Sequence, residues 1–370
     1  MECITKDSFY WAWITTIRGI KKDKMIQLIN YFKSPEELWH KSKKELKDLS
    51  NLSEEELNIL DKSKNPNQIK KWLYNLQQKN ISYLTINDKK YPSLLKTIPD
   101  APLGIYTKGE LPTFEKGFLA VVGPRKCSEY GIRVTRKLVY DLVSKGFGII
   151  SGLAQGIDTE AHKATIEADG ILVSIVANGV DICYPAFNKK LMESIEKRGT
   201  IISEYPPGTK PMPWFFPARN RIISGLSQGI IVIEAEEKSG ALITADLALE
   251  QGKEVYAVPG SIFNSTSKGT NKLIQQGAKL VMNVEDILEE ISIKPMDKRE
   301  NTSQYKDKTI GTLAMEENLV YDCISFEPSH IDVLSVSIKY PINRLQSILT
   351  LLELKGLIKQ LPGKRFIRNQ

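Results

Sequence analysis

The sequence predicts an α/β protein built on a Rossmann-like, doubly wound and mostly parallel sheet. A helical domain precedes the sheet and a winged-helix-like domain follows it. Three observations predict this. Between Phe118 and Leu288, short apolar runs alternate with segments of helical period. Most of the apolar runs (FLAVVG, GFGIIS, ILVSIVA, TIISEYP, GIIVIEA, EVYAVPG and KLVMN) are continuous, as strands covered on both faces are. Four Gly-rich turns sit between such runs and helix-like segments: VVGPRKCSEYG, IISGLAQGIDTEAHKA, VIEAEEKSGALITADLALEQG and VPGSIFNSTSKGTNKLIQQGA. A strand that ends in Gly and feeds a helix points free backbone N–H groups at one spot, where an anion can sit. Four in one chain suggest a surface that holds a run of phosphates.

The elements follow in order. Residues 1–85 read as helical. Ile17, Ile20, Ile26, Ile29 and Tyr31 are spaced for one face, with Gly19 at a turn. Ser34 and Pro35 start another helix, and Ser53 with Glu56 forms a capping-box pattern. Such paired short helices resemble a helix-hairpin-helix module, which binds nucleic-acid backbone or serves as a packing domain. Residues 86–117 carry Pro92, Pro99, Pro102 and Pro112 and read as an extended connection with one added strand, IYTKG. Residues 118–290 hold the alternating domain. Its first helix repeats Val134, Leu138 and Leu142 and ends at Gly146. Residues 291–308 are polar and read as a linker. Residues 309–370 give three helices and then two short strands around PGK, the order of a winged helix.

The chain has 370 residues, which suits two or three domains. Its net charge of +7 is compatible with a polyanionic partner. Near the C-terminus, Lys339, Arg344, Lys355, Lys359, Lys364, Arg365 and Arg368 face one acid, Glu353. That basic tail is either a solvated surface or a second phosphate-contacting one. The four cysteines are scattered and histidines number three, so neither a metal site nor a cofactor is expected. The scattered cysteines fit a reducing cytoplasm. No basic start precedes an apolar core at the N-terminus, and no run of eighteen apolar residues occurs, so neither a signal peptide nor a membrane span is expected.

The candidate site residues cluster at the turns. Gly123 lets the backbone turn after a buried strand, and Arg125 opens the next helix at the carboxyl edge of the sheet, where phosphate can bind. Ser128 caps that helix. Ser151 and Gly152 offer a hydroxyl and a close backbone approach. Asp158 reads as the N-cap of DTEAHKA, a structural task. Lys163 comes one helical turn after Thr159 and is expected to face the groove, while His162 reads as a structural histidine. The Arg-rich loop FPARNRIISGLS follows Trp214 and Phe215 and places Phe216 beside Arg219, Asn220 and Arg221. Aromatics next to arginines suit single-stranded nucleic acid, because rings stack on bases and guanidiniums hold phosphate. Ser239 and Gly240 open another anion-ready helix, and Gly269 and Thr270, flanked by Lys268 and Lys272, open a fourth.

Together these motifs resemble the DprA/Smf family of DNA-processing proteins, over about residues 118 to 285. The resemblance implies a cytoplasmic, usually dimeric protein that binds single-stranded DNA, protects incoming strands in natural transformation and helps RecA load. It implies no catalysed reaction. The family's DNA-contacting arginine corresponds to Arg125, and its basic and aromatic segment to Phe216, Arg219, Asn220 and Arg221. Two positions depart from the family pattern. Pro124 stands where a small hydroxyl residue is common, and Gln155 where an arginine is common.

An enzyme of the lysine-decarboxylase-like phosphoribohydrolase type is the alternative, since similar folds host it. Its PGGxGTxxE element is missing here; Glu204, Glu234 and Glu236 are the acids available to it. A transcription regulator acting through the C-terminal wing is a third reading.

Overall fold

In the computed structural model, the described residues are 6–49, 51–114, 117–291, 315–325 and 328–368. They fall into two compact units, 1–298 and 299–370. The expected linker over 291–308 lies outside the described residues, apart from Ile291.

The first unit opens with six helices: α1 (Lys6–Thr16), α2 (Lys22–Phe32), α3 (Pro35–His40), α4 (Lys43–Leu49), α5 (Glu54–Ser63) and α6 (Pro66–Gln78). Ser34 caps α3 through the Glu37 amide, and the Ser53–Glu56 capping box of α5 is complete. Helix α2 buries Met25, Leu28, Ile29 and Phe32, an i, i+3, i+4, i+7 stripe. Tyr31 lies off that stripe and is exposed, against the sequence expectation.

Residues 81–85, read as helical, instead form a strand. The sheet begins with β1 (Ile81–Thr85), α7 (Ser93–Lys96) and β2 (Gly104–Gly109). β1 pairs with β2 and β2 with β6 (Thr200–Ser203), both antiparallel, so the IYTKG segment is a sheet strand. The expected boundary at 85/86 therefore falls between two paired strands.

Six further elements run β3 (Phe118–Val122), α8 (Glu129–Ser144), β4 (Gly148–Ser151), α9 (Ile157–Glu167), β5 (Leu172–Ile175) and α10 (Lys189–Arg198), ahead of β6. After β6 come α11 (Phe215–Leu226), β7 (Gly229–Val232), α12 (Gly240–Glu250), β8 (Glu254–Ala257), α13 (Lys268–Gln275), β9 (Lys279–Leu280) and α14 (Glu285–Leu288). The nine strands lie in the order β1-β2-β6-β5-β4-β3-β7-β8-β9, parallel from β6 to β9. The chain winds outward from β3 to β6, then returns to β3's other side. The β3–β7 junction is thus the topological switch point, whose carboxyl edge is left open by helices that diverge.

Successive residues of β3 feed two cores. Phe118, Ala120 and Val122 pack with Ile222, Ile223 and Leu226 of α11. Leu119 and Val121 pack with Leu138, Val139 and Leu142 of α8 and with Ala161 and Ala164 of α9. This two-sided burial is why the strands read as continuous apolar runs.

The second unit contains α15 (Met315–Cys323), β10 (Ser329–His330), α16 (Ile331–Ile338), α17 (Ile342–Leu354), β11 (Ile358–Leu361) and β12 (Arg365–Arg368). β12 pairs with both β10 and β11. Leu345, Leu349 and Leu352 of α17 meet Leu334 of α16 and Phe366 of the hairpin in one core. This is a winged helix.

Candidate functional site

A cleft of about 430 Å³ opens at the switch point. The turn after β3 lines it with Gly123, Arg125 and Lys126; α11 with Phe216, Arg219 and Asn220; and the turn into α12 with Glu236, Lys238, Ser239 and Gly240. Ala154 and Asp158, from the turn between β4 and α9, complete its floor.

The first two turns are built against each other. Gly156 has φ +84°, and a Cβ there would lie 2.3 Å from the Pro124 carbonyl oxygen. Only glycine fits both the dihedral and the space. Gly156, not Asp158, is the N-cap of α9. Asp158 sits two residues on, within the first turn, and accepts from the amides of Gly152 and Ala154, at 3.2 and 3.3 Å. Its task is structural, as the sequence suggested, but it braces the turn rather than capping the helix. Those two amides are occupied by the carboxylate and are not offered to a ligand.

The FPARNRIISGLS segment is not a loop. It is the N-terminal two turns and body of α11, with Pro217 in the first turn, where its missing N–H costs nothing. Helical geometry separates Arg219, Asn220 and Arg221 by about 100° each, so the three point in different directions. Arg219 turns inward and is 4% exposed. Its Nη1 donates to the Gly152 carbonyl at 2.7 Å and also to that of Ile175. Burial pushes its guanidinium down to about 10; Asp158 opposes that shift and Arg125 adds to it. It therefore remains charged at neutral pH. Burial likewise raises the Asp158 carboxyl, against the pull of Arg219. Arg221 turns to the opposite side, where it donates to both oxygens of Glu204 (2.8 and 2.7 Å) and to Asp100 (2.8 Å). It does not line the cleft. Asn220 donates to the Gly240 carbonyl at 3.4 Å and joins α11 to the start of α12.

Phe216 is the hinge of the site. Its ring centroid lies 5.0 Å from the Arg125 guanidinium carbon and 6.0 Å from that of Arg219. Both distances are in the cation–π range. Arg125 is exposed, and Arg125, Lys126 and Lys238 have no acidic partner among the described residues. Ser239 caps α12 by accepting from the Ala241 amide at 3.2 Å. The positive end of an eleven-residue helix thus points into the same cleft as the cations.

Other expected site residues lie elsewhere. The Ser151 hydroxyl is fully buried and donates to the Val121 carbonyl. Gly152 is buried beneath Arg219: a Cβ there would stand 2.2 Å from its Nη1. Lys163 pairs with Glu160 at 2.8 Å on the outer face of α9. Lys268 approaches Glu237 at 4.0 Å. The fourth turn supports the third: Thr266 donates to Glu234, and the Ala235 amide donates to the Thr266 carbonyl. His162 is wholly buried; burial, with the Arg219 charge behind it, holds its imidazole down to about 3. A neutral, enclosed imidazole with that affinity for protons is no general base at pH 7. Lys126 and Lys238 were not singled out in the sequence, although each flanks a turn that was.

The acids available to a hydrolase are mostly committed. Glu234 accepts from the Ser128 amide and hydroxyl and from Thr266. Glu204 holds Arg221. Of these three acids, Glu236 lines the cleft.

The family model for DNA recombination-mediator protein A matches residues 82–292. The chain belongs to this family. A DprA winged helix domain model matches residues 306–364. The DNA processing protein DprA of Bacillus subtilis is 46% identical over 216 residues, covering 58% of this chain and 73% of that relative. Protein Smf of Escherichia coli is 38% identical over 292 residues, 78% of each chain. The X-ray structure of Streptococcus pneumoniae DNA processing protein A covers 78% of this chain and 99% of its own, with TM-score 0.68 and 33% identity. That of Helicobacter pylori, described for its single-stranded DNA binding mode, covers 56% and 94%, with TM-score 0.51 and 28% identity. The match beginning at residue 82 takes in β1, in line with the pairing of β1 and β2. Membership of this family does not favour the phosphoribohydrolase alternative. Among the described residues, no helix is long and apolar enough to cross a membrane.

Proposed function

We propose that this protein binds single-stranded DNA in the β3–β7 cleft and acts as a recombination mediator. The observation that carries the reading is Phe216 with Arg125 and Arg219 at its ring, in a cleft that also receives the N-terminus of α12. A strand's phosphate would meet Arg125, Lys126, Lys238 and the Gly240 turn, while a base stacks near Phe216. Arg219 and Asn220 hold that wall in place. The single-stranded DNA binding of the Helicobacter pylori relative supports this reading.

Protection of incoming strands, RecA loading onto the bound strand, a homodimer and a cytoplasmic location complete the proposal. Among the described residues the short strand β9 ends the sheet with no strand on its outer edge, which a second copy can cover. No catalysed step is part of it. A gel-shift comparison of oligo-dT with duplex of equal length, over a salt series, tests the central claim. Preference for the single strand, with log affinity falling linearly in log salt, is expected. Equal affinity for both would reject it.

A further inference from the structure

The cleft does not end at Phe216. The connection from β5 to α10 brings Tyr184 to 5.7 Å from the Phe216 ring, centroid to centroid. Asn188, four residues on, donates to the Leu153 carbonyl (3.1 Å) and to the Thr159 hydroxyl (2.9 Å). These bonds pin the 3₁₀ turn Ala186–Asn188 against the second Gly-rich turn. Phe187 on that turn is 65% exposed and Tyr184 is 41% exposed. From the other side, Tyr205 just after β6 stacks on Phe215 at 4.0 Å, which anchors the start of α11. Trp214, next to Phe215, is left 61% exposed.

Three large rings therefore stand in solvent on segments that are themselves firmly held. All three follow the carboxyl ends of β5 and β6, the same edge of the sheet as the cleft. Folding does not require them there, since their neighbours Asn188, Phe215 and Tyr205 supply the packing. Lys189, Lys190 and Lys210 are exposed nearby in sequence and have no ion-pair partner among the described residues. Exposed rings interleaved with free cations are the surface that unpaired nucleotides need. A protein partner would favour a continuous apolar patch with charge excluded from its centre.

We propose that Tyr184, Phe187 and Trp214 are additional base-stacking platforms, extending the single-strand path from Phe216 across the ends of β5 and β6. The inference rests on the single-strand reading of the cleft and adds a second segment to it. The first segment holds a phosphate and a base at Arg125 and Phe216. The second carries the neighbouring nucleotides by stacking, with the lysines along the backbone.

An oligo-dT length series with the full chain tests this, using Tyr184→Ala, Phe187→Ala and Trp214→Ala. For a strand of about 4 nucleotides, near the lower site size for such grooves, the variants should match the parent. For a strand of about 16, each should bind about fivefold or more weakly. The salt slope should not change, because stacking releases few ions. Quenching of Trp214 fluorescence by the long strand, lost in Trp214→Phe while affinity is kept, is a readout that does not depend on the alanine variants folding. Folded variants equal to the parent at every length, or a Trp214 signal indifferent to DNA, would overturn the extended path alone. Equal weakening on the short strand would also overturn it, by merging the two segments. A parent that binds no oligo-dT would overturn the single-strand reading of the whole cleft.

Discussion

Arg125 and Arg219 flank one phenylalanine, yet replacing them should give opposite phenotypes. Arg125 is exposed and has no acidic partner among the described residues. Arg125→Ala should therefore change stability by no more than about 0.5 kcal/mol. It should lower the salt slope of single-strand binding by about 0.7, the value of one phosphate contact on a single strand. Arg219 is buried, donates to two strand-end carbonyls and lies in the field of Asp158. Arg219→Ala leaves both carbonyls short of a charged donor and removes the charge that pulls the Asp158 carboxyl down. Leaving buried acceptors without their charged donor costs about 1.5–3 kcal/mol. In a unit of this size that is a fall in melting temperature of roughly 3–6 °C. Urea unfolding of both variants, beside oligo-dT titrations at several salt concentrations, separates the two roles. If Arg219→Ala melts with the parent and lowers the salt slope as Arg125→Ala does, the guanidinium faces the phosphate and the argument fails.

Gly152→Ala should destabilise by about 1–3 kcal/mol, because its new methyl would stand 2.2 Å from the Arg219 Nη1 with the carbonyls of Gly152 and Ile175 holding that group in place. The cost should shrink in an Arg219→Ala background, where the obstruction is gone; additive losses in the double variant would refute the clash. His162 gives a pH signature. Its folded-state value of about 3 lies below the ordinary 6.5, so the unfolded chain takes up the proton first. The resulting stability is fully present above about pH 6.5 and falls by about 1.4 kcal/mol for each unit toward 3. Between pH 7 and 5 the parent should lose about 2 kcal/mol more than His162→Gln in urea titrations; equal losses would mean the imidazole is not held neutral.

Much of this protein is legible in its order of residues. Continuous apolar runs report burial on two faces, which identifies a parallel sheet. Local chemistry identifies the caps at Ser34, Ser53, Ser128 and Ser239, because a cap needs only a hydroxyl and the amides that follow it. The winged helix is likewise written in three helical segments, the third with the apolar face Leu345, Ile348, Leu349 and Leu352, and a PGK hairpin. The strand Ile81–Thr85 is hard to read because it follows a long helical stretch and its pairing partner, Gly104–Gly109, lies beyond three prolines. Strand pairing is non-local, and five residues of ISYLT carry too little pattern to announce it.

What only tertiary structure decided is the direction each basic residue faces. Arg219, Asn220 and Arg221 are adjacent in sequence, and as a loop they would have formed one basic cluster. As a helix they diverge: one supports the floor, one ties α11 to α12, and one is bound by Glu204 and Asp100. Asp100 and Glu204 are far from Arg221 along the chain, so no local rule could have assigned that pairing. The same holds for the four Gly-rich turns, which look alike in sequence. Only the strand order, with β3 beside β7, sets the first and third turns side by side at the open edge of the sheet. The carboxylate of Asp158 fills the amides of the second turn, and the fourth lies behind the third as its support. Composition and period report how a segment is covered; which groups remain free for a ligand depends on contacts between segments distant in the chain.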